Sequence, residues 1–172
     1  MDFESKITSR EISLLLWERE KTVGTAESCT GGRIAEAIIA VPGASKYFKG
    51  GVISYTDDVK VNVLGVDQIL IDEKTAVCEE VAIAMVKGAC KVLATDYAIS
   101  ATGIAGPSGG TKDIPVGTIW IACGTKDKVV TFKVEEDHGR DINLAIATNK
   151  AMQMFLDFLQ EEVEDAEVLE TK

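Results

Sequence analysis

The sequence predicts an α/β domain built as three layers, α/β/α, around a mixed, mainly parallel sheet. Three observations point there. Helical apolar spacing alternates with short extended runs along most of the chain. The apolar 46% is largely aliphatic, with aromatics at only 6%, which suits close packing of helices on strands. Near the C-terminal third, "VGTIWIACG" and "VVTFKVE" are separated only by "TKDK", so these two strands pair as a hairpin and the sheet cannot be purely parallel.

Each element follows from its residues. Residues 4–20 carry Ile7, Ile12, Leu14, Leu15 and Leu16, the apolar face of a first helix. A strand runs from Val23 to Glu27, and a second helix from Gly31 to Ala40, ended by Pro42 and Gly43 in "VPGAS". "GGVISYT" favours extended structure, and "DDVKVNVLG" reads as a short helix with Asp57 and Asp58 at its start. Residues 78–94 form a strong helix through Val81, Met85, Ala89 and Val92. "YAISATG" (97–103) is a strand that runs into the glycine-rich "GIAGPSGGTKDIP". The last helix starts near Arg140, with its stripe at Leu144, Ala147, Ala151, Phe155 and Phe158. No repeat or linker divides the 172 residues, so one domain is expected, with an acidic tail over roughly the last ten.

Composition excludes several classes of function. A formal charge of −10 without a Lys/Arg cluster gives no basic face for nucleic acid. No apolar run approaches a membrane span. The four cysteines form no C-x-x-C and the single histidine is distant in sequence, so no metal site is expected. The charged start "MDFESKITSRE" does not read as a secretory leader, and a reduced cytoplasmic location is the expectation.

Two segments are candidates for chemistry. "AESCTGG" places Ser28, Cys29 and Thr30 between a strand end and a helix start. Amides at such a place can hold a phosphate, a carboxylate or a developing oxyanion, and Gly31 and Gly32 allow close approach. A plain helix cap is the simpler alternative. "ATGIAGPSGGT" supplies Thr102, Gly103, Gly106, Ser108, Gly109, Gly110 and Thr111 at the carboxyl end of a strand, where open α/β sheets bind ligands. It is not a P-loop, since Thr111 stands where the second glycine belongs, nor does it match G-x-G-x-x-G.

A hydroxyl nucleophile needs a base. A triad would have to use His138, with no G-x-S-x-G elbow to support it. The other route is a serine–lysine pair. A lysine serves as base near neutral pH only when its amine is held uncharged by burial or by a neighbouring cation. Lys60, among Val59, Val61 and Val63 and shortly after Tyr55, is the candidate; a surface lysine on a short helix is the plainer reading. Cys29 is a competing nucleophile or, more simply, a small buried side chain.

"TAESCTGGRIAEAI", "VPGAS", "GGVISYTDDVKVNVLGV", "ATGIAGPSGGTKDIPVGTIWIA" and "GRD" before a final helix resemble the CinA C-terminal domain family, in order, from about Thr22 to Phe158. The family includes stand-alone nicotinamide-nucleotide amidohydrolases. The resemblance implies an α/β/α fold, and a hydrolase that converts nicotinamide mononucleotide to nicotinate mononucleotide and ammonia without metal or other cofactor. It implies Ser28 as nucleophile and Lys60 as base, with Tyr55 close by. Glu27, Thr30, Gly31, Gly32, the Thr102–Thr111 glycine loop and Arg140 would line the pyridine-nucleotide substrate. A homo-oligomer is also implied. A non-catalytic nucleotide-binding or regulatory module of the competence/damage-inducible type is the alternative. Two departures stand out: Cys78 where relatives commonly have serine, and Leu144 where they often have an arginine four residues after the first.

Overall fold

The computed structural model describes residues 3–170. In chain order the elements are α1 (Phe3–Glu18), β1 (Val23–Glu27), α2 (Arg33–Ile39), a 3-10 turn (Ala44–Lys46), β2 (Phe48–Ile53), α3 (Asp57–Asn62), α4 (Gln68–Lys74), α5 (Glu79–Leu93), β3 (Tyr97–Gly103), β4 (Ile119–Gly124), β5 (Val129–Val134) and α6 (Arg140–Glu170). The five strands lie in the order β2-β1-β3-β4-β5. The sheet is mixed as expected: β1 runs parallel to both β2 and β3, while β3–β4 and β4–β5 are antiparallel. The acidic segment from Glu161 continues α6 to Glu170, and its last two residues lie outside the described residues. No helix among the described residues is long and apolar enough to cross a membrane.

Alternation along the strands divides the core between two faces. Ile99 and Ala101 of β3 join Ile12, Leu16, Ile34, Ile38, Phe155 and Phe158 beneath α1, α2 and α6. Ala26, Ala98 and Ala122 join Leu64, Ile71, Val81, Met85 and Ala89 beneath α5. Each large side chain fully buried in this way contributes about 1.5–3 kcal/mol. The α5 face is paved with small residues, so that helix lies close to the sheet. Ser100 uses the closeness to donate to the Ala82 carbonyl at 2.8 Å.

Two segments differ from expectation. Helix α4 is not legible in "DQILIDEK": it is seven residues long and buries only Ile71, while Ile69 is 63% exposed. Asp67 caps it by accepting from the Ile69 amide at 2.9 Å. The strand expected from Val116 begins only at Ile119, because Gly117 has φ +91° and Thr118 donates back to Pro115 in a turn.

The junction of β1 and α2 fixes the geometry of the candidate site. Glu27, with 0% exposure, closes β1 and turns its carboxyl group onto the helix start. Its oxygens accept from the Thr30 hydroxyl (2.7 Å) and from the amides of Gly32 (2.9 Å), Ile34 (3.1 Å) and Ala35 (2.9 Å). These amides have no partner within the helix, and the carboxyl group meets the positive end of the helix dipole. Gly31 and Gly32, at φ +59° and +102°, supply the left-handed backbone that brings the chain round in so few residues. Glu27→Gln would put an amide NH2 where one carboxyl oxygen now faces a donor. Denaturant unfolding should show a loss of about 1.5–3 kcal/mol, the worth of hydrogen bonds to a charged group; an unchanged midpoint would contradict the clamp.

Candidate active site

Ser28 follows Glu27 directly. Its amide extends the β1–β3 ladder to the Ala101 carbonyl at 2.9 Å, and its own carbonyl accepts from Gly31 at 3.2 Å. The side chain is therefore held at the carboxyl end of the parallel strands, and the residue is 7% exposed. On the neighbouring strand, the Ser54 amide donates to the Glu27 carbonyl at 2.8 Å, which carries the β1–β2 ladder one residue past β2. The chain then turns into α3, whose first turn holds Asp57 and Asp58 at the dipole's positive end.

That turn brings Lys60 inward. It is 2% exposed, an uncommon state for lysine. Its Nζ lies 3.2 Å from Ser28 Oγ, 3.0 Å from the Ser54 carbonyl and 3.5 Å from Asp57 Oδ1. The last two are acceptors only. As an amine, Lys60 can give them its two hydrogens, which leaves its lone pair directed at the Ser28 hydroxyl. As an ammonium it can serve all three. The site thus accommodates both protonation states without moving the stem, as proton transfer requires. The plainer reading of a surface lysine is overturned.

The neighbouring candidates take structural places. Cys29 is a free thiol, 7% exposed, pushed up to about 12 by burial, with the Glu27 charge adding to the rise; the amides of Cys29 and Thr30 and the more distant Arg140 charge pull the other way. It carries essentially no thiolate at neutral pH and is a poor nucleophile. Thr30 spends its hydroxyl on Glu27, and Glu27 itself is sealed from solvent. Both therefore position the site from behind, where substrate contact had been expected. The amides of Gly32, Ile34 and Ala35 are also taken by Glu27, so the first turn of α2 is not the open anion cradle that "AESCTGG" suggested. Tyr55 is 58% exposed and makes no hydrogen bond among the described residues, so the structure does not bring it to the amine.

The glycine loop divides in the same way. Thr102 is buried and ties β3 to the connection between α4 and α5 by donating to the Ala76 carbonyl at 2.8 Å. Gly103 is required by packing: a Cβ there would stand 2.5 Å from the Ile119 Cα. Gly106 presents its carbonyl to Arg140 at 2.9 Å, which fastens the loop to the first turn of α6. Gly109, Gly110 and Thr111 are exposed, and Thr111 closes its own turn with Ile114 at 2.8 and 3.0 Å. Arg140 is exposed apart from the Gly106 contact, and its charge lowers the Cys29 thiol pKa slightly. His138 pairs with Glu136 at 3.0 Å on the surface and has no contact with Ser28. Leu144 lies in the core at 4% exposure, so it presents no group to the site.

Three participants were missed in the sequence. Asp57 stands three residues before Lys60, the helical spacing that lets the two meet, and this was readable. Asn143, fully buried, donates to the Ala105 carbonyl (3.1 Å) and to Asp137 (2.9 Å) and accepts from the His138 amide (2.8 Å), locking the loop to α6. Its spacing carried no such signal. Ser54 holds the amine through a backbone carbonyl, which no side-chain pattern reveals. Cleft size is no guide either: a space of about 500 Å3 lined by Arg19, Lys21, Asp96, Lys128 and Glu162 sits at the opposite, amino end of β1 and β3.

Comparison with known proteins agrees with this framework. The CinA C-terminal domain model matches residues 5–159. A CinA-like protein of Leptospira borgpetersenii is 49% identical over 118 residues, covering 69% of this chain and 28% of the relative. A CinA-like protein of Geotalea uraniireducens is 40% identical over 158 residues, covering 90% of this chain and 38% of the relative. The chain thus spans about a third of the length of these curated relatives. The crystal structure of the competence/damage inducible protein CihA from Agrobacterium tumefaciens superposes with a TM-score of 0.89 at 31% identity, covering 93% of this chain and 98% of that one. A CinA superfamily protein from Escherichia coli gives 0.86 at 31% identity, with 92% of each chain covered. With a family match over nearly all the described residues and the same five-stranded architecture, the chain belongs to the CinA C-terminal domain family.

Proposed function

We propose that this domain hydrolyses the carboxamide of nicotinamide mononucleotide, with Ser28 as nucleophile and Lys60 as base. The observation that carries the reading is the buried Lys60 amine at 3.2 Å from Ser28 Oγ. Taking an amine out of water is costly unless it is paired or used. A module that only bound a nucleotide would have no need of one set against a hydroxyl. The choice of substrate rests on the resemblance of the "AESCTGG" and "GIAGPSGGT" segments to those of the nicotinamide-nucleotide amidohydrolases.

The reaction runs in two halves. Lys60 Nζ takes the Ser28 hydroxyl proton as Oγ bonds to the carboxamide carbon, and the carbonyl electron pair moves to oxygen. The tetrahedral intermediate collapses, the C–N bond breaks, and the nitrogen leaves as ammonia with the proton from Lys60. Water then attacks the ester: Nζ accepts a water proton and returns it to Oγ, giving the nicotinate product. With the α2 amides committed to Glu27, the first turn of that helix is not free to serve the developing oxyanion. Arg140, fastened to the glycine loop, is the cation available to the 5′-phosphate.

Purified protein given nicotinamide mononucleotide should release ammonia and the acid in equal amounts. Lys60→Ala should lower kcat by about 10²–10⁴-fold, the usual worth of a general base, with the far-ultraviolet circular dichroism unchanged. Full activity in that variant would remove the proposed base. Cys29 offers an independent check. Its raised thiol pKa keeps it protonated up to strongly alkaline pH, so a haloacetamide at pH 8 should leave it unmodified in the folded protein. Cys29→Ala should keep turnover within an order of magnitude; a collapse of activity in a folded Cys29→Ala protein would transfer the nucleophile's role to the thiol.

A further inference from the structure

Ser54 has 0% exposure, and its hydroxyl oxygen is buried without a hydrogen-bond partner. Folded proteins leave few polar groups in that state, because an unmet buried hydroxyl costs stability that alanine at the same place would recover. Its backbone is fully employed: the amide reaches the Glu27 carbonyl at 2.8 Å, and the carbonyl receives the Lys60 amine at 3.0 Å. Alternation along the strand puts the Ser54 side chain on the face of Val52, which packs on the α5 side of the sheet. The same rule puts Ser28, two residues past Ala26, on that face. The unpartnered hydroxyl and the nucleophile therefore share one face of the sheet at the ends of adjacent strands, and the Lys60 amine bonds to both residues, to Ser28 through its Oγ and to Ser54 through its carbonyl.

The hydrogens of Lys60 show what the hydroxyl is for. To act as base, Lys60 has to give two N–H bonds to the Ser54 carbonyl (3.0 Å) and Asp57 (3.5 Å) and turn its lone pair to Ser28 Oγ, 3.2 Å away. Once Nζ has taken the Ser28 proton and Oγ has bonded to carbon, the amine carries a third N–H while its former partner has become a weakly accepting ether-type oxygen. We infer that the Ser54 hydroxyl oxygen accepts this third N–H and holds the Lys60 ammonium in the tetrahedral intermediate until the proton passes to the departing nitrogen. Ser54 is thus a positioning residue that acts through Lys60, left unpartnered in the resting state and engaged only during turnover. The inference rests on the serine–lysine reading above and is independent of the identity of the substrate.

The test compares native protein, Ser54→Ala and Ser54→Thr in three measurements. The first is the rate of covalent labelling by an alkyl fluorophosphonate, in which Ser28 Oγ bonds to phosphorus, Lys60 takes its proton and fluoride leaves. The second is steady-state hydrolysis of nicotinamide mononucleotide, and the third is thermal melting. Ser54→Ala should label about tenfold more slowly or worse, the worth of one hydrogen bond to a charged group. It should lower kcat comparably with KM unchanged, and melt at the native temperature or above it. Ser54→Thr should recover most of the labelling rate. Native labelling rates in Ser54→Ala would overturn the inference, as would slow labelling accompanied by a lowered melting temperature, the mark of a purely structural role. Native protein that labels but leaves the nucleotide intact would refute the proposed substrate alone. Native protein that does not label at all would refute both the nucleophile and the role of Ser54.

Discussion

A carboxyl group sealed from water ties the end of β1 to the beginning of α2, and the placement of the candidate nucleophile follows from that tie. Glu27 gathers the Thr30 hydroxyl and three helix amides onto one side chain. The five residues between strand and helix have little freedom left. Ser28 is pinned on one side by this turn and on the other by its amide bond to Ala101. The same junction supplies the Glu27 carbonyl to Ser54, which sets where β2 ends and α3 begins, and hence where Lys60 comes in. One buried acid thus organises both partners of the pair without touching either side chain. The helix terminus is spent on structure, so the proposed chemistry falls to the hydroxyl and the amine.

The second constraint is the burial of Lys60. Its amine has three neighbours and no access to bulk water, and two of those neighbours are fixed acceptors. The third neighbour, Ser28 Oγ at 3.2 Å, is the group with which a proton can be exchanged. Cys29, one residue further on, is turned into the core, where its thiol is electrically silent. Two nucleophile types adjacent in sequence are thus separated by which side of the sheet each one faces. The unpartnered Ser54 hydroxyl fits a site whose hydrogen-bond demand rises during the reaction: a cost carried at rest becomes a contact when the ammonium forms.

Much of this was legible in the residues. Apolar periods gave all five strands and α1, α2, α5 and α6, while the paired acids Asp57 and Asp58 marked the start of the short α3. Helix α4 escaped because seven residues with one buried side chain leave no period to read. The pairing of Ser28 with Lys60 came from motif resemblance together with the chemistry of a serine beside a potential base; the spacing alone left Lys60 as a surface residue. Tyr55 illustrates the limit. It is adjacent to the site in sequence, but the strand ladder continues to Ser54, so Ser54 faces the amine side and Tyr55 faces water. The resemblance placed Glu27 among the substrate contacts, and its hydrogen bonds to Thr30 and the α2 amides, which the sequence does not show, give it a structural place instead. The roles of Ser54 and Asn143 depend on backbone carbonyls brought together by the fold, which residue types do not encode.

Covalent attachment of the substrate's acyl group is the step on which everything else depends. Peptide mapping of protein acid-quenched during turnover of nicotinamide mononucleotide would locate it directly. The expected result is a nicotinoyl-nucleotide ester on Ser28, lost on treatment with hydroxylamine. An acyl group carried instead by Cys29 or Thr30 would contradict the serine–lysine assignment.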